Sequence, residues 1–90
     1  MSKAFERELS AHLESKPRLN TSEKRIQRIL DLPKSNPRRK RVLAQIEMAA
    51  THQLQGNGGT TAIDWSSIDW EALLAGIMKL IQMIIALFGG

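Results

Sequence analysis

The chain has no cysteine and no tyrosine, and its aromatic side chains are Phe5, Trp65, Trp70 and Phe88. Without cysteine there is no disulfide framework, no thiolate metal site and no thiol nucleophile. Four aromatics are thin material for a surface that stacks nucleobases. His12 and His52 lie far apart along the chain and lack the close spacing of a metal pair on one helix. Gly56-Asn57-Gly58-Gly59 is glycine-rich but lacks the Lys-Ser/Thr and the preceding strand of a phosphate loop. No serine stands in a nucleophile-elbow context. These absences lead to the expectation of a non-enzymatic protein with no cofactor, no metal and no small-molecule substrate. At 90 residues one core is marginally stable, so a membrane or a larger assembly is expected to share in burial.

What is present is divided along the chain. Residues 1–60 hold 12 of the 13 basic residues and 6 of the 9 acidic ones. Residues 61–90 hold only Lys79 against Asp64, Asp69 and Glu71, and are concentrated in apolar residues. Such asymmetry points to a partner surface, membrane or nucleic acid. The first residues are charged and lack the apolar stretch of a secretory signal, so any membrane insertion is expected from the C-terminal segment.

Local signals predict an all-α fold. Phe5, Leu9 and Leu13 recur every four residues and give a helix over 2–15, stopped by Pro17. Asn20-Thr21-Ser22-Glu23 has the form of a capping box, and the helix after it buries Ile26, Ile29 and Leu30. Asn36-Pro37 pairs a cap-type residue with proline at the first helical position. The third helix then runs to about Leu54, with Val42, Leu43, Ile46, Ala49, Ala50 and Leu54 as its apolar face. Asp64 and Asp69 are read as cap and dipole partners, with Ser67 as the N-cap of a last helix that continues to Phe88. The expected organisation is a basic region of three short amphipathic helices over 1–54, a flexible Gly-rich linker over 55–62, and a long, highly apolar C-terminal helix within 63–90.

That last helix is long enough, over 69–88, to cross a bilayer of roughly 30 Å. Trp65 and Trp70 stand at its entry end, where an interfacial aromatic belt belongs. A spanning helix would keep the basic region in the cytoplasm. Lys79 falls at mid-span, where a charge costs about 2.5–3.5 kcal/mol. Ala72, Ala75, Lys79, Gln82 and Ala86 follow a 3-4-3-4 spacing and form one narrow seam. Small and polar residues along a seam favour helix association, so self-association into a homo-oligomer is expected there. The alternative is burial of the helix in a soluble bundle, with Lys79 snorkelling outward.

Arg38-Arg39-Lys40-Arg41 lies in the first turn of the third helix, where cations oppose the helix dipole. The cluster is therefore read as a surface for anions, either lipid headgroups or nucleic-acid phosphates. Three functional readings follow. The first is a membrane-associated structural protein, anchored and oligomerised by its last helix. The second is a soluble assembly component, such as a minor virion, scaffold or adaptor protein, docking that helix into a larger partner. The third is a small helix-turn-helix DNA binder.

Overall fold

Three of the described helices start where a side chain supplies the hydrogen bond that the first turn lacks. A computed structural model describes residues 3–56 and 62–88. Helix α1 spans Lys3–Ser15, α2 Thr21–Leu30, α3 Pro37–Gln55 and α4 Trp70–Phe88. A 3₁₀ turn, Trp65–Ser67, precedes α4. The fold is all-α.

The capping box is complete. The Asn20 side chain accepts from the Glu23 N–H at 2.8 Å, and Glu23 accepts from the Asn20 N–H at 3.0 Å. Asn36 does the same for α3, accepting from Arg38 and Arg39 N–H ahead of Pro37. Helix α3 closes at Gly56, whose N–H donates to the His52 carbonyl. Gly56 has φ 70° and ψ −156°, a backbone state that a side chain would strain.

The start of α4 differs from expectation. Ser67 is not its N-cap, because Ser67 belongs to the 3₁₀ turn and its hydroxyl donates to the Asp64 carbonyl. The backbone extends at Ile68, and Asp69 then caps α4 by accepting from Ala72 N–H at 3.2 Å. The repeat Ile63-Asp64-Trp65, Ile68-Asp69-Trp70 is thus two successive Asp-capped starts. Each places its tryptophan first in the following turn and sends it inward.

Both tryptophans meet Phe5. Ring centroids lie 4.9 Å apart for Phe5–Trp65, 5.7 Å for Phe5–Trp70 and 5.8 Å for Trp65–Trp70. The Trp70 indole N–H donates to the Trp65 carbonyl at 3.0 Å. This aromatic knot closes one end of a core that continues through Leu9, Leu13, Ile26, Val42, Leu43, Ile46, Ile77 and Ile81. Helix α4 therefore shares one core with α1–α3. The central part of the expected linker, residues 57–61, lies outside the described residues.

Helices α3 and α4 run antiparallel. The Arg41 guanidinium sits 5.9 Å from the Phe88 ring centre at one end. Nearer the other end the Gln53 side chain lies over Gly76, where a Cβ would come within 2.9 Å of its amide nitrogen. Leu54, expected in the apolar face of α3, is exposed, as is Met48. The inward face of α3 closes at Ala50, four residues before Leu54.

Candidate functional site

Helix α4 divides lengthwise. One half faces the core through Trp70, Leu73, Leu74, Ile77, Ile81 and Ile85. The other half faces solvent. At about 100° per residue the expected seam runs down the middle of the solvent half, and Ala72, Ala75, Lys79, Gln82 and Ala86 are all exposed. Beside the seam, towards α3, lie Leu80, Met83 and Leu87, with exposures of 45%, 58% and 74%. On its other side Gln82 donates to the Ser22 hydroxyl at 3.3 Å, a link to α2. A helix with mean hydropathy 1.9, long and apolar enough to cross a membrane, thus leaves an apolar surface uncovered by the fold.

The basic cluster is split by the same periodicity. Four consecutive residues nearly circle a helix, so they cannot all share one face. Arg38, Lys40 and Arg41 are exposed, whereas Arg39 is 5% exposed. Arg39 pairs with Glu6 of α1, and its Nε donates to the Leu30 carbonyl at 3.3 Å. Arg39, expected in the anion-binding cluster, has its charge paired inside the protein, tying α1 and α2 to α3. The helix-turn-helix reading loses a groove-facing cation by the same contact. Because Arg41 meets Phe88, the exposed cations stand at the end of the bundle where α4 finishes.

Trp65 and Trp70, expected at a membrane interface, are turned into the fold. They are 5% and 8% exposed, and their rings are committed to Phe5.

One charged cluster was not foreseen. The Lys16 ammonium lies 2.7 Å from a Glu23 carboxylate oxygen and 3.2 Å from Glu71. His12 Nε2 lies 3.6 Å from Glu71, and its ring stacks on Trp70 at 6.3 Å. His12, Glu23 and Glu71 each offer a ligand atom, all within 4.8 Å of one another. The Lys16 ammonium already bridges the two carboxylates, so the arrangement serves as a strap holding the first turn of α4 to α1 and α2. Nothing local announces it, since Lys16 and Glu71 are 55 residues apart. The one available signal was the capping box, which fixes Glu23 at the third helical position.

The strap sets a pH dependence. Burial pushes the Glu23 carboxyl up, but the hydrogen bonds from Lys16 and the Asn20 N–H, with the nearby positive charge, outweigh it and leave the group below its ordinary value of 4.5. The hydrogen bond to Glu23 raises Lys16 above 10.5, against its desolvation. Asp64 is also lowered, chiefly by the Ser66 hydroxyl and N–H. A depressed carboxyl stabilises the fold above its unfolded value and loses that contribution as pH falls through the folded value. A raised amine stabilises below its unfolded value and loses it as pH rises through the folded one. Thermal stability should therefore hold through neutral pH, fall in acid below the ordinary carboxyl range, and fall again in alkali above 10.5. Glu23→Gln should lower stability by about 1–3 kcal/mol at neutral pH, since it removes hydrogen bonds to a charged group. It should also flatten the acid limb. An acid limb as steep as that of the parent chain would refute the strap.

Comparison with protein-family models, with curated proteins and with solved structures finds no match for the chain.

Proposed function

We propose that this protein is a non-enzymatic structural component that associates with anionic membrane surfaces through the solvent-facing half of α4. The observation that carries this reading is the exposed line Leu80, Met83 and Leu87 on a helix whose outward half is otherwise mostly small residues. Arg38, Lys40 and Arg41 stand at the end where that line finishes. An apolar stripe with flanking cations is the arrangement that binds acyl chains and anionic headgroups together. Lying on the bilayer uses the face that the fold leaves free. Spanning it would require α4 to give up its contacts with α1–α3. On an inner membrane surface the basic end would face the cytoplasmic leaflet, where anionic lipid concentrates.

A second reading, docking of the same face onto a helix of its own copy or of a larger assembly, is favoured by Ala72, Ala75 and Ala86. Their small side chains allow close backbone approach.

The test is flotation of the full chain with vesicles of phosphatidylcholine and phosphatidylserine. Binding is expected, with release by alkaline extraction. The triple substitution Leu80→Gln, Met83→Gln, Leu87→Gln leaves net charge unchanged. It should weaken partitioning by about a hundredfold or more, since each of the three lost apolar side chains is worth roughly 1 kcal/mol or more at an interface. Its circular dichroism spectrum should not change. Absence of parent binding, or equal binding by the triple variant, would overturn the membrane reading. A defined oligomer that ignores vesicles would favour the second.

A further inference from the structure

We infer that the cleft between the start of α1, the α2–α3 turn and the first turn of α3 is a binding site for a phosphorylated anion. It is an open cavity of about 600 Å³, within the range of small-ligand sites. Of the eight described residues that line it, five are basic and one is acidic. That one, Glu6, is neutralised by Arg39, which the Leu30 carbonyl also holds, so the pair forms a rigid floor. Lys3 and Arg7, one turn apart on α1, meet Lys34 of the α2–α3 turn and Lys40 of α3 around the rim. All four are exposed and make no ion pair with a described residue.

Four uncompensated cations around one cleft repel one another, and the positive end of α3 adds to the field. A compact ligand bearing several negative charges relieves that repulsion. A phosphomonoester carries about −1.5 to −2 at neutral pH, and two such groups match the rim. The Arg7 fork and the lysine ammoniums suit phosphate oxygens, and the Ser10 side chain in the lining can supply a further donor. The phosphate can belong to a free polyphosphate or to a phosphomonoester lipid headgroup. The free form is independent of the membrane reading, and the headgroup form rests on it.

The probe for the free form is inorganic tripolyphosphate, titrated calorimetrically into the full chain at near-physiological salt. One saturable site is expected. Lys34→Gln with Lys40→Gln should weaken it about tenfold or more. Lys24→Gln with Arg25→Gln, at exposed positions of α2 outside the lining, removes the same net charge and should change it by less than about twofold. No saturable binding, or equal losses in the two double variants, would overturn the site.

Vesicles then separate the sources. A preference for phosphatidic acid over phosphatidylserine at matched surface charge, lost in the Lys34/Lys40 variant, assigns the headgroup. Tripolyphosphate binding without that preference assigns a free phosphate. Intact tripolyphosphate binding with no vesicle binding at all leaves the cleft standing and removes the membrane reading.

Discussion

Trp70→Ala is expected to destabilise the fold by about 3–5 kcal/mol, the range for deleting a large buried aromatic. That is a large part of the 5–15 kcal/mol typical of a small domain. Three contributions combine. The indole is 8% exposed, so its removal leaves a cavity beside Phe5 and Trp65 that helix termini can only partly collapse. Its edge and face contacts with Phe5, Trp65 and His12 are lost. The Trp65 carbonyl loses the donor that holds it at 3.0 Å. Because Trp70 opens α4, the damage reaches the junction that binds the last helix to the first. Trp70→Phe separates these contributions. It keeps most of the ring packing and loses the indole N–H, so about 1–2 kcal/mol is expected. Urea unfolding followed by Trp65 fluorescence and by circular dichroism measures both. A Trp70→Ala effect no larger than that of exposed Leu87→Ala would mean that the aromatic knot does not hold the fold.

The residues that frame each helix show why so much of the fold was legible. Asn20, Glu23, Asn36 and Pro37 act within three or four positions of themselves, and the structure uses all of them as their spacing indicated. Phe5, Leu9 and Leu13 face inward for the same local reason. Helix α4 was less legible because it is apolar nearly all round. Periodicity cannot say which half of such a surface is buried. Only the packing of α1, α2 and α3 selects Leu73, Leu74, Ile77, Ile81 and Ile85 for the core and leaves Leu80, Met83 and Leu87 outside. The inward turn of the tryptophans is not legible locally, because an aromatic before an apolar helix fits a membrane interface and a first-turn anchor equally well. Phe5, which decides between them, is some sixty residues away in sequence. The Lys16–Glu23–Glu71 strap was hard to read because it joins the turn after α1 to the starts of α2 and α4, and Glu71 lies 55 residues from Lys16. Arg39 is different, since its inward turn was readable. It lies three, four and seven positions before Val42, Leu43 and Ile46, on the face already assigned to the core.

Arg39→Met is expected to cost about 3 kcal/mol, at the lower end of the 3–5 kcal/mol for breaking a buried ion pair. The lower end applies because Glu6 keeps 22% of its side-chain exposure and can rehydrate in part by rotating toward solvent. The Leu30 carbonyl also loses its donor, near the end of α2 where helix carbonyls are already short of partners. The companion Glu6→Met should destabilise too, since it strands a guanidinium that is 6% exposed. The double variant Glu6→Met with Arg39→Met should recover much of either loss, because two well-packed apolar groups avoid the desolvation of both charges. Arg38→Gln, one position away and exposed, should stay within about 0.5 kcal/mol of the parent. The contrast between neighbours is the informative measurement. A large effect at Arg39 with none at Arg38 shows that the run of four cations is a structural tie with a charged surface around it. Equal small effects would return Arg39 to solvent, restore the uninterrupted cationic surface read from the sequence, and remove the rigid floor on which the phosphate cleft depends.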